Sequence, residues 1–184
     1  MLCEGPSAFL GRYELLGHSR GPVVAVNRAI AFSHEIPIDF WATTDDPLNL
    51  WEWAQPSLHE GTRLFSTRNN LMAWEALLPD IQRLYHWTST YMDELAVGDE
   101  LAPLIPTLFP VLAWCLRQGA KEVRLLGCDM IGSGTPGIDF RPVADEGHVL
   151  RWEVERRLLA LSHKQYRTQG SRIVRWPMSK PRLQ

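Results

Sequence analysis

An α/β fold built on a mostly parallel sheet is predicted by two features of the sequence. Short apolar runs rich in β-branched residues recur along the chain, and longer amphipathic segments separate them. A third feature bounds the answer. With 184 residues, 45% of them hydrophobic and 22% charged, the chain has the length of one domain and enough apolar surface to offset the entropy of ordering it. One α/β domain spanning residues 1–184 is therefore expected, its sheet flanked by helices.

The first strand has at most residues 1–4 available, where a buried central strand usually has five or six. Either this strand is short or the natural reading frame begins upstream of Met1. Further strands are expected at residues 23–26, 38–43, 63–66, 83–87, 123–126 and 172–176. Helices are expected at 8–16, 48–54, 71–77, 104–117 and 149–166. In the fourth of these Pro103, Pro106 and Pro110 crowd the first turns, so the helix starts late or is kinked. In the last, Leu150, Val154, Leu158 and Leu161 recur at helical spacing, and Gly170 ends the helix. Residues 130–147, which include Gly132-Ser133-Gly134-Thr135-Pro136-Gly137, read as a short lid or flexible loop.

A formal net charge of −2 excludes a protein held to nucleic acid or to anionic lipid mainly by its overall field. Cys3, Cys115 and Cys128 are too few for a disulfide framework and lack zinc-ligand spacing, so they suit a reducing, cytoplasmic setting. Cys115 and Cys128 lie in apolar runs and read as core filler. No stretch approaches the roughly 18 apolar residues that span a bilayer, and no export signal opens the chain. Eight tryptophans, several at expected loop positions, suit an exposed aromatic interface and a homo-oligomer.

Residues able to carry chemistry gather after the strands. Gly5-Pro6-Ser7 opens the first helix, where backbone N–H groups and the helix dipole favour a phosphate; the same triplet is also a common turn. Asn27 follows the strand at 23–26 and either contacts a ligand or caps a helix. Asp45 and Asp46 follow the next strand, where paired acids hold a metal, a ribose or a base. Thr43-Thr44-Asp45-Asp46-Pro47 equally reads as a helix start with Pro in its first turn. Asp129 ends the buried run 123–129. His148 stands at the start of the last helix, where the dipole favours the neutral imidazole that a general base requires; it also reads as a simple cap.

In this order the residues resemble the single-domain bacterial sialyltransferases of glycosyltransferase family 42. They are more loosely similar to the Gly-Pro-Ser proteins of the hydroxymethylpterin pyrophosphokinase type. Cys3-Glu4-Gly5-Pro6-Ser7 occupies the place of the sialyltransferase Gly-x-Gly-Pro-Ser turn, and Val24-Ala25-Val26-Asn27 that of its strand ending in Asn. Gly119-Ala120-Lys121-Glu122-Val123-Arg124-Leu125-Leu126-Gly127-Cys128-Asp129 follows Gly-x-Lys-Glu-Ile-x-Leu-x-Gly-x-Asp nearly step for step, and Gly147-His148 matches Gly-His. The resemblance implies a Rossmann-like nucleotide-binding domain in which Gly5, Pro6, Ser7 and Asn27 hold the nucleotide and Asp129 shapes the site. His148 would deprotonate an acceptor hydroxyl.

The implied function is a metal-independent glycosyl transfer from a nucleotide-activated sugar, which serves as substrate; no permanently bound cofactor is expected. Two alternatives stand beside it. A pyrophosphokinase-like enzyme would use a nucleoside triphosphate and a divalent metal, with Asp45, Asp46 or Asp129 as ligands. A non-catalytic nucleotide-binding module accords with Glu4 in place of the first glycine of the turn and with the lack of the family's lid tyrosines among residues 130–140.

Overall fold

Apolar strands with little polar alternation need cover on both faces, and parallel strands obtain it from the helices that connect them. In the computed structural model the described residues are 1–3, 7–8, 11, 21–45, 47–54, 61–77, 84–87, 106–129 and 146–176. They form a mixed α/β structure. In chain order it comprises β1 (Val24–Val26), a 3-10 helix (Asn27–His34), β2 (Phe40–Ala42), α1 (Pro47–Ala54), β3 (Arg63–Thr67) and α2 (Arg68–Leu77). There follow β4 (Leu84–Trp87), α3 (Leu108–Arg117), β5 (Glu122–Leu126), α4 (Glu146–Thr168) and β6 (Arg172–Trp176). Every expected strand from residue 23 onward is present.

Strands β1 to β4 pair in sequence order as one parallel sheet, and β5 pairs with β6 as a second. Leu2 joins the two, with single parallel bridges to Ala25 on one side and Leu126 on the other. The backbone ladder thus reads β4-β3-β2-β1-Leu2-β5-β6. The chain steps outward from Leu2 through β4, then crosses back to its other side for β5 and β6. The amino terminus lies in the middle of this ladder, where the Met1 amine is buried and donates to Arg124 O at 2.7 Å.

Period-two alternation divides the core between the two faces. One cluster combines Val24, Val26, Phe40, Ala42, Phe65, Val123 and Leu125 with residues of α3 and α4. The other combines Leu2, Ala25, Trp41, Leu64 and Leu126 with residues of the 3-10 helix, α1 and α2. Trp41 and Trp74 are fully buried and meet edge to face, with ring centroids 4.8 Å apart. Trp114 packs against Phe40 and Phe65. Trp41 and Trp74 are core residues and Trp114 is a partly buried residue packed against the core, because strand alternation and helix packing turn them inward.

The late start expected of the fourth helix holds, the bounds of the last helix are corrected, and one element is new. The helix expected at 104–117 begins at Leu108. Pro106 stands ahead of it, and Pro110 falls in the first turn, where its missing N–H would have had no intrahelical partner. The last helix extends over Glu146–Thr168, and its buried stripe runs through Leu158, Leu159, Ser162 and Tyr166 while Leu161 is 46% exposed. Ser162 tolerates burial because its hydroxyl donates to Leu158 O at 2.9 Å. The 3-10 helix was not expected. It follows β1 without a linker, because Asn27 adopts a left-handed φ of 51° that turns the chain at once.

Local stop and start signals hold. Pro47 opens α1. Gly170, at φ 66°, ends α4, with Ser171 N donating to Tyr166 O and Gly170 N to Arg167 O. Among the described residues no helix is long and apolar enough to cross a membrane.

Candidate functional site

Where strand order reverses in an open parallel sheet, the two flanking connections leave toward opposite sides, and a crevice opens beyond the carboxyl ends of the strands. Here the reversal falls at Leu2, between β1 and β5. Cys3 follows Leu2 at that edge, flanked by Asn27, which follows β1, and by Gly127-Cys128-Asp129, which follow β5.

Ser7 and Asp129, 122 positions apart, are joined directly. Ser7 N donates to Asp129 Oδ2 at 2.6 Å, and Gly127 N donates to Ser7 Oγ at 2.9 Å. The carboxylate satisfies an N–H of the opening helix, the place where the sequence suggested a phosphate. Gly127 makes the clasp possible. Its φ is +79°, and a β-carbon there would lie 2.7 Å from Ala8 Cβ and 2.8 Å from Cys3 C, with Cys3 O closer still. Gly5 and Pro6 lie outside the described residues.

Asn27 is the most unusual residue of this edge. Among the described residues it alone combines a positive φ with a side chain. The N-cap of the 3-10 helix is Val26, and Asn27 Oδ1 accepts no backbone N–H of that helix, so the capping alternative does not hold. Its carbonyl accepts from Trp41 Nε1 at 2.9 Å, which fixes the backbone from below. Its Oδ1 is buried and accepts no hydrogen bond from the described residues. A left-handed asparagine with an unmet buried acceptor costs free energy in the folded chain, and such costs concentrate where a ligand is recognised.

The neighbouring strand ends supply charge and hydroxyl groups. Thr44 Oγ1 and Thr107 Oγ1 share a hydrogen bond of 2.7 Å, and Thr44 N donates to Thr107 Oγ1 at 3.3 Å, which ties the start of α3 to the end of β2. Asp45 N donates to Thr43 Oγ1 at 3.1 Å. Burial raises the Asp45 carboxyl above its ordinary value, while the charges of Arg151 and Arg28 act in the opposite sense. Two guanidinium groups from separate elements, the 3-10 helix and α4, therefore reach the neighbourhood of one carboxylate. Arg151 also pairs with Glu155 at 3.1 Å. His148 lies in the first turn of α4, three residues before Arg151.

The sequence thus pointed to Ser7, Asn27, Asp129 and His148; the fold joins Ser7 to Asp129 directly and sets Asn27 at the end of β1 beside Leu2. It passed over Arg28, Thr107 and Arg151. Arg28 adjoins Asn27, and Arg151 follows His148 at helical i, i+3 spacing, which was the available signal. Asp46 and lid residues 130–145 lie outside the described residues; 146 and 147 belong to α4. A broad groove lined by residues 33–39, Gly61 and Thr62 opens at the opposite, amino-terminal end of β2 and β3 and holds none of the candidate residues.

Replacement Asp45→Asn tests the electrostatics. Because the folded pKa of Asp45 is raised, the native chain binds more protons than the unfolded chain just above pH 3.8, and ionising this carboxyl lowers stability as pH rises through that window. The variant is expected to match or exceed the parent in thermal stability at pH 7. It should lose that part of the pH dependence in melts recorded across the carboxylate range. A lower melting temperature at pH 7 would show that ionised Asp45 is a net stabiliser.

No protein-family model matches this chain, and searches of curated proteins and of solved structures find no match.

Proposed function

We propose that the chain is a Rossmann-like nucleotide-binding domain that catalyses metal-independent glycosyl transfer from a nucleotide-activated sugar at the carboxyl edge around Leu2. The observation that carries this reading is Asn27, whose buried, unmet Oδ1 stands beside the reversal of strand order. An amide there reads a polar edge of a base or ribose, since only a ligand donor would offset its desolvation. Arg28 and Arg151 suit the phosphates, because guanidinium groups pair with phosphate oxygens through directed, charge-assisted hydrogen bonds.

In this reading Gly5, Pro6 and Ser7 form the turn beneath the nucleotide. Asp129 shapes that turn by holding the Ser7 amide. His148 takes the proton from an acceptor hydroxyl while its oxygen attacks the anomeric carbon, and the bond from that carbon to the nucleotide phosphate breaks. Charge grows on the departing phosphate, and the guanidinium groups stabilise it.

Thermal-shift measurements with CMP, UMP, GMP, AMP, their activated sugars, and ATP with and without magnesium test the proposal. One nucleotide or nucleotide sugar should raise the melting temperature independently of magnesium. At a hundredfold excess over Kd the gain is about 2.7 kcal/mol, or roughly 5–10 °C for a chain of this size. Hydrolysis of that donor should fall about 100-fold or more in His148→Ala. A shift only with triphosphate and magnesium would favour the pyrophosphokinase chemistry, and no shift with any nucleotide would favour a non-catalytic module.

A further inference from the structure

Strand register and one glycine bring two of the three cysteines together under the clasp. Leu2 lies opposite Leu126, and Cys3 N donates to Leu126 O at 2.7 Å. The same register sets Cys3 opposite Gly127, one residue before Cys128. In an uninterrupted strand Cys128 would share the face of Leu126 and point away from Cys3. The left-handed turn at Gly127 breaks the alternation, and Cys128 instead joins Cys3 in one core cluster. Neighbouring strands lie about 4.8 Å apart, so Cys3 stands across from the residue that precedes Cys128, and a disulfide requires α-carbons about 4.4–6.8 Å apart.

Both cysteines are free and buried, and they belong to one core cluster. The hydrogen bond from Cys3 holds the Cys128 thiol below its ordinary value against the effect of burial, and Arg175 acts in the same sense. Both are buried, with Cys3 8% and Cys128 9% exposed. Cys115 contrasts with them: burial pushes its thiol up to about 11, which keeps it protonated and unreactive.

We infer that Cys3 and Cys128 form a reversible disulfide, an oxidant-sensitive modification site directly beneath the turn that carries Asp129. With hydrogen peroxide as oxidant, the Cys128 thiolate attacks one peroxide oxygen, the O–O bond breaks and, after protonation, water leaves. The resulting sulfenic acid is attacked by the Cys3 sulfur. An S–S bond forms, the S–O bond breaks, and a second water departs with the Cys3 proton. Two thiols lose two electrons and the peroxide gains them. Asp129 follows Cys128 and holds the Ser7 amide, so the bond fixes the turn on which the clasp hangs. The inference stands whether or not the transferase reading does.

Peptide mapping of the full chain tests it without requiring any variant to fold. Trypsin leaves Cys3, Cys115 and Cys128 in separate peptides, residues 1–12, 84–117 and 125–151. After hydrogen peroxide and iodoacetamide, peptides 1–12 and 125–151 should be recovered joined, and dithiothreitol should separate them. In Cys3→Ser the link should vanish, and dimedone labelling of Cys128 should rise at least about tenfold as its sulfenic acid loses its partner. Recovery of Cys3 and Cys128 as separate alkylated or over-oxidised residues in the parent chain, or a link from either to peptide 84–117, would overturn the inference.

Discussion

Gly127→Ala is expected to lower the stability of the chain by about 2–5 kcal/mol. A left-handed backbone costs an alanine about 1–2 kcal/mol, and overpacking against a backbone that cannot move aside costs about 1–3 kcal/mol more. The obstructing atoms are the carbonyl of Cys3 and the β-carbon of Ala8, so no flexible side chain can yield. The melting temperature should fall by roughly 10 °C, at 2–4 °C per kcal/mol for a chain of this size. Gly119→Ala is the matched control. It has the same φ of +79° but nothing within 4 Å of its added β-carbon, so it should lose only about 1–2 kcal/mol. Equal losses in the two variants would show that the close approach of β5 to Cys3 contributes nothing. Displacement of Gly127 also pulls its N–H from Ser7 Oγ, and the nucleotide-induced shift should disappear along with the stability.

Asn27→Gly separates ligand recognition from folding. Glycine adopts the φ of 51° freely, and the Trp41 bond to the carbonyl of residue 27 survives because it uses only backbone. Removing a buried, unmet oxygen relieves a desolvation cost of about 1–3 kcal/mol, against roughly 0.5–1 kcal/mol for the added freedom of glycine in the unfolded chain. The melting temperature should therefore stay level or rise slightly. Nucleotide affinity should fall about 10- to 100-fold, the loss of one hydrogen bond to a buried ligand group. Asn27→Ala should show the same loss of affinity together with a lower melting temperature, since alanine resists the left-handed turn. A destabilised Asn27→Gly that binds nucleotide normally would assign the amide to the fold alone.

Much of the secondary structure is legible in the sequence because its causes are local. Apolar runs mark each strand from β1 to β6, Pro47 marks the start of α1, and Gly170 marks the end of α4. Each signal acts within a few residues of itself, through steric limits on the backbone or through the period of the side chains. The residues that follow strands, Asn27, Asp45 and Asp129, were visible as site candidates for the same reason.

Tertiary structure alone decided what those residues do. The 3-10 helix after β1 depends on one left-handed residue, which composition does not reveal. The face of α4 that is buried depends on its neighbours, so Leu161 faces outward and Ser162 inward. The Ser7–Asp129 clasp, the effect of Arg28 and Arg151 on Asp45, and the shared core cluster of Cys3 and Cys128 all join segments far apart in the chain. They arise because Leu2 enters between β1 and β5. Strand pairing of this kind is chosen by the burial of both sheet faces at once, a property of the whole chain that no local stretch encodes.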